Sequence, residues 1–67
     1  MKIHKSITIE RVTEAVERAN EGTDNPGFCV SCGVEQEGCE PDAEKYECDT
    51  CGVNAVYGAE QLLLYMA

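Results

Sequence analysis

The longest apolar run in this chain, Leu62 to Ala67, is six residues, against the roughly 20 that a membrane-spanning helix needs. No apolar stretch follows Met1-Lys2-Ile3-His4-Lys5-Ser6 either, as the core of a secretory signal would. Both shortages point to a cytoplasmic protein with no membrane attachment. Basic residues are scarce: five lysines and arginines stand against 13 acids, a formal net charge of −8. Residues 1–20 carry Lys2, Lys5, Arg11 and Arg18 against three glutamates, whereas residues 21–67 carry Lys45 alone against ten acids. A field of that sign repels phosphate backbones and favours basic or neutral partners. Apolar side chains run short in the middle, where Val34 and Tyr46 are the only large ones between Cys32 and Cys48. Neither a nucleophile–base pair nor a phosphate-cradling glycine loop appears, so catalysis is not expected.

What the chain does have is cysteine. Cys29/Cys32 and Cys48/Cys51 form two Cys-x-x-Cys pairs separated by 15 residues, a spacing expected of a four-thiolate zinc site. Each pair runs into a glycine, Gly33 or Gly52, which can adopt the positive φ that turns backbone N–H groups toward the sulfurs. Four thiolates around one ion close a tetrahedron and leave no open position for substrate, so the expected role of a single Zn2+ on Cys29, Cys32, Cys48 and Cys51 is structural. Iron is the nearer rival, because tetrahedral four-sulfur sites serve both metals. With the metal in place, the charge of residues 21–67 falls to about −11. A chain of 67 residues buries only about 60% of the surface its unfolded form exposes. Metal binding then supplies what a small core does not.

Along the chain, residues 8–21 read as an amphipathic helix with Ile9, Val12, Val16 and Ala19 on one face. Thr8 is its expected N-cap, and Ile7 a staple onto Val12. Glu14 and Arg18 are spaced for an ion pair, and Gly22 for a helix end. Met1 to Ser6 is expected to be frayed or a short edge strand, and Thr23 to Gly27 a turn-rich linker. Residues 28–58 then form a small antiparallel sheet of two or three strands with the metal at one end. In it, Gly38 to Ala43 makes a hairpin tip and Tyr46 faces inward. Residues 59–66 read as a short C-terminal helix presenting Ala59, Leu62, Leu63 and Met66 to the first helix, with Phe28, Tyr46 and Tyr57 between. Leu64 and Tyr65 point elsewhere. Cys39, the fifth cysteine, is expected as an exposed or half-packed thiol whose acidic neighbours Glu37, Glu40 and Asp42 raise its pKa. His4 has no spacing relation to either pair and reads as a surface residue.

With its paired knuckles, the stretch Phe28 to Gly58 resembles the zinc-ribbon class. Ribbons frequently carry proline after the first cysteine of each knuckle, where this chain has Val30 and Asp49, a departure that leaves the ligands unchanged. The whole layout is similar to small uncharacterised bacterial or phage ribbon proteins, a likeness that brings no activity with it. The expectation is one α+β domain, 1–67: a zinc ribbon flanked by an N-terminal helix and a short C-terminal helix. Its expected role is that of a small adaptor binding another protein through its acidic face or its apolar tail, the tail also serving for a possible homodimer. Two alternatives stand beside it. One is a nucleic-acid-associated factor using Lys2, Lys5, Arg11 and Arg18; the other is a redox or metal-trafficking role through Cys39.

Overall fold

A computed structural model describes residues 2–22 and 24–67. Met1, the start of the N-terminal segment, and Thr23, in the expected linker, lie outside the described residues. The elements are helix α1 (Ile9–Asn20), strands β1 (Gly27–Cys29), β2 (Glu35–Gln36), β3 (Tyr46–Glu47) and β4 (Asn54–Gly58), and helix α2 (Ala59–Met66). No helix among the described residues is long and apolar enough to cross a membrane.

Helix α1 begins where the sequence places it. Thr8 is extended and its hydroxyl accepts the Arg11 N–H at 3.2 Å, which satisfies one of the donors a helix start leaves orphaned. Ile7 and Val12 share the core, as a staple requires. Gly22, at φ 79°, closes the other end by donating to the Ala19 carbonyl. The buried stripe is narrower than the apolar pattern suggests. Val12 and Ala15 are fully buried and Val16 packs beside them, whereas Ile9, in the first turn, is 40% exposed. Arg18 reaches past the expected Glu14 to Glu35 at 3.0 Å and Asp24 at 3.5 Å, tying α1 to β2 and the linker.

The sheet has four strands in the order β2-β1-β4-β3, all antiparallel. That order corrects the hairpin expected at Gly38–Ala43. Strands β2 and β3 lie on opposite edges, so residues 37–45 cannot be a turn between neighbours; they form a strap crossing the end of the β1–β4 ladder. The strap is held through its backbone. The Cys39 N–H donates to the Asn25 carbonyl, the Gly58 N–H to the Ala43 carbonyl, and the Gln61 N–H to the Pro41 carbonyl. Where it crosses, Gly27 and Gly58 face each other in register. A Cβ on Gly27 would lie 2.7 Å from the Cys39 sulfur, and one on Gly58 would meet the carbonyls of Glu40 and Pro41. Two glycines thus open the slot into which the strap fits.

Two clusters make up the interior. The first joins Ile7, Val12 and Ala15 to Phe28, Tyr57, Ala59 and Leu62, so α1 and α2 pack on each other with Phe28 and Tyr57 between them. Tyr46 is not in it. It is 37% exposed, and its hydroxyl bonds the Glu40 carboxylate, because β3 is an edge strand turned away from the helices. The second gathers Cys29, Cys39 and Cys48 with Ala43, Ala55 and Val56. Strand β4 is therefore buried along Ala55–Gly58 and exposed at Asn54. Residues 2–6 are neither frayed nor a strand: Lys5 and Ser6 turn, and the His4 N–H holds the Val30 carbonyl at 2.9 Å.

Candidate metal centre

The two cysteine turns are built alike. In the first, the Cys29 N–H donates to the Val34 carbonyl and the Gly33 N–H to the Cys29 carbonyl; in the second, Cys48 donates to Val53 and Gly52 to Cys48. Gly33 and Gly52 have φ of 85° and 78°, the conformation in which a side chain would be strained. This winding aims main-chain donors at sulfur. The Cys32 N–H lies 3.4 Å from the Cys29 Sγ, and the Thr50 and Cys51 N–H groups 3.4 Å from the Cys48 Sγ. Such donors stabilise thiolate charge.

All four sulfurs lie within 4.8 Å of one another. Cys29 and Cys51 approach to 3.7 Å and Cys32 and Cys48 to 3.8 Å, far beyond the bonded distance of a disulfide. Metal–sulfur bonds of about 2.3 Å to the corners of a regular tetrahedron set neighbouring sulfurs about 3.8 Å apart. The cluster therefore has the size and the donor chemistry of a four-thiolate metal site. Zinc and iron both meet that description.

Left to themselves, Cys32, Cys48 and Cys51 do not ionise together. Cys48 is drawn down to about 7, chiefly by the Cys51 N–H against the opposing effect of burial, with the Thr50 N–H adding to the pull. Cys32 is pushed up to about 12. The Val34 N–H pulls it down, but burial and the sulfurs of Cys29, Cys48 and Cys51 push harder. Cys51 is raised too: the Val53 N–H opposes, while burial and the sulfurs of Cys29 and Cys48 prevail. Cys48 is thus the readiest to ionise at neutral pH, and a divalent ion must displace the protons that Cys32 and Cys51 hold.

The surroundings of the two turns differ. The first turn is packed against the N-terminal segment: a Cβ on Gly33 would meet the Ser6 hydroxyl and lie 2.8 Å from the His4 Nδ1. The Arg11 guanidinium donates to the carbonyls of Ser6 (2.8 Å) and Gly33 (3.3 Å) while lying 4.9 Å from the Phe28 ring centroid. The second turn is bound through Gln36, whose Nε2 donates to the Glu47 carbonyl and whose Oε1 accepts the Asp49 N–H. Gly52 has nothing within 4 Å of a built Cβ, and Val53 is 46% exposed. Among the four cysteines, Cys29 and Cys48 are buried, Cys32 is half-buried and Cys51 is exposed.

The sequence named the four sulfurs that the fold brings together. It did not name Gln36 or Arg11 as their supports; the polar residue four after Cys32 was the one available clue. His4 stands beside the first turn, its Nδ1 accepting the Ser6 N–H at 3.1 Å, and is not among the clustered donors. Cys39, expected as an exposed or half-packed thiol, is 1% exposed and donates to the Gln36 carbonyl at 3.4 Å. Burial raises its pKa first, with Glu37 and Asp49 adding to it. A family-model scan, a search of curated proteins and a search of solved structures each found no match to this chain.

Proposed function

We propose that the chain is a zinc-ribbon-like domain whose single Zn2+, held by Cys29, Cys32, Cys48 and Cys51, is structural, and which serves as a small protein-binding adaptor. The observation that carries the metal assignment is the spacing of the sulfurs, 3.7 and 3.8 Å for the cross-turn pairs, against the tetrahedral edge of about 3.8 Å. Four protein ligands close the coordination sphere, so substrate has no position on the ion and the site suits support rather than catalysis. Elemental analysis of the purified protein is expected to find zinc rather than iron. Iron in its place would leave the site standing and overturn the choice of metal.

The adaptor reading draws on α2. Leu64 is 74% exposed and Tyr65 51% exposed, and the Tyr65 hydroxyl donates at 3.1 Å to Glu44, a strap carboxylate. Apolar surface rimmed by acids, on a chain of net charge −8, suits a partner with an apolar pocket and a basic rim. Leu64→Glu is expected to abolish co-purification of partners while leaving metal content unchanged; an identical set recovered with the variant contradicts it. Light scattering of the wild type distinguishes a second copy of the chain from a different protein. The nucleic-acid alternative is the less favoured, because two of its four cations are engaged within the chain: Arg11 holds Ser6 and Gly33, and Arg18 holds Glu35 and Asp24.

A further inference from the structure

We infer that the second cysteine turn is an oxidation-sensitive release gate: Cys51 reacts first with a hydroperoxide and then forms a disulfide with Cys29, which frees the metal. The inference rests on the four-cysteine metal site proposed above and adds its regulation. Two independent features single out this turn. Cys51 alone of the four ligands is exposed, and a metal-bound cysteine is a thiolate, the form that oxidants attack. The packing around the turns is also one-sided. The first is clasped by His4, Ser6 and Arg11; the second is tied by Gln36 at Glu47 and Asp49, with open space beside Gly52, next to Cys51. An incoming peroxide thus reaches the Cys51 sulfur without displacing any side chain of the N-terminal segment.

The chemistry closes within the site. The Cys51 thiolate attacks one peroxide oxygen, the O–O bond breaks, and the departing hydroxide takes a solvent proton to become water. Cys51 is left as a sulfenic acid. The Cys29 thiolate, whose sulfur lies 3.7 Å away, then attacks the Cys51 sulfur; the S–S bond forms and a second hydroxide leaves as water. Two thiolates have supplied the two electrons that reduce the peroxide, and the ion's oxidation state is unchanged. The site then retains only Cys32 and Cys48 and loses its hold on the metal. Cys39, a strap residue turned inward and 1% exposed, takes no part. The new bond joins the two turns to each other, so the oxidised chain keeps a covalent link where the ion had been.

The test uses full-length protein whose zinc content has first been established by native mass spectrometry. It is exposed to hydrogen peroxide beside a chromophoric zinc indicator, with disulfides mapped over time. The first bond is expected between Cys29 and Cys51, appearing in step with free zinc, with Cys39 still reduced. In a parallel sample, limited alkylation of the zinc protein should label Cys51 before Cys29, Cys32 or Cys48, a measurement that needs no variant. Cys51→Ser, if it retains zinc, is expected to slow peroxide-driven release about tenfold. A first disulfide within one turn, or one involving Cys39, overturns the gate while leaving the metal site intact, as does labelling that begins at another ligand. A folded protein without zinc at the outset overturns both.

Discussion

Gly27 and Gly58 show how much of this fold depends on side chains that are missing. They face each other in β1 and β4, and the strap runs over both. A methyl group at Gly27 would meet the Tyr57 carbonyl at 2.6 Å and the Cys39 sulfur at 2.7 Å. Gly27→Ala is therefore expected to destabilise the protein by about 1–3 kcal/mol, the usual range for overpacking, as read by thermal unfolding. Gly38→Ala, whose added methyl meets nothing within 4 Å but whose φ is 79°, separates backbone strain from crowding. Protonation is a second residue-scale property. Cys32, pushed up to about 12, and Cys51, also raised, hold their protons at neutral pH, whereas Cys48 at about 7 is half ionised. Metal binding requires all of them deprotonated, so affinity should climb as pH rises from 6 to 8. Calorimetry in buffers of different ionisation enthalpy is expected to show more than two protons released per ion at pH 7; release of fewer than one contradicts the assignment of ligands.

At the scale of elements, α2 depends most on the rest of the chain. Its eight residues are too few for a stable helix alone, and Gly58 offers no capping side chain. Carbonyls of other segments replace the cap: Pro26 accepts from the Ala59 N–H and Pro41 from the Gln61 N–H, each at 3.1 Å. Burial of Leu62, which is fully enclosed, does the rest, and Leu62→Ala should cost about 2–5 kcal/mol. Arg11→Ala is expected to cost about 1–2 kcal/mol through lost hydrogen bonds and, unlike a surface arginine, to loosen the first cysteine turn; faster amide exchange at Gly33 than at Gly52 would show it. The helices and cysteine turns were legible in the sequence because each is specified locally, by an apolar period, a capping threonine or a glycine after Cys-x-x-Cys. The strap was not, since placing β2 and β3 on opposite edges depends on pairings across the chain. Cys39 and Tyr46 were misjudged for that reason: one is a strap residue turned inward onto Gly27, the other lies on an edge strand. The four ligands of the candidate site were readable from spacing, but which of them faces solvent depends on where the N-terminal segment packs.

At the scale of the molecule, two interior clusters stand side by side. The helices close over Phe28 and Tyr57, while the cysteines gather with Ala55 and Val56. Strands β1 and β4 run through both, Phe28 serving the first cluster and Cys29 the second. Disorder at the cysteines should therefore spread into the helical core instead of stopping at the turns. The apolar side chains of the second cluster are small and few, and without an ion the raised thiols bring no attraction to replace it. On the proposed function, the bound ion supplies the larger part of what holds residues 27–58 together. Near-ultraviolet circular dichroism of the zinc-loaded protein, recorded before and after a strong chelator, tests this most directly because Tyr57 and Tyr65, packed edge to face at 6.1 Å, report on the helical core. Loss of the aromatic signal on chelation, and its return when one equivalent of zinc is restored, is the predicted result; an unchanged tertiary spectrum in metal-free protein would contradict it.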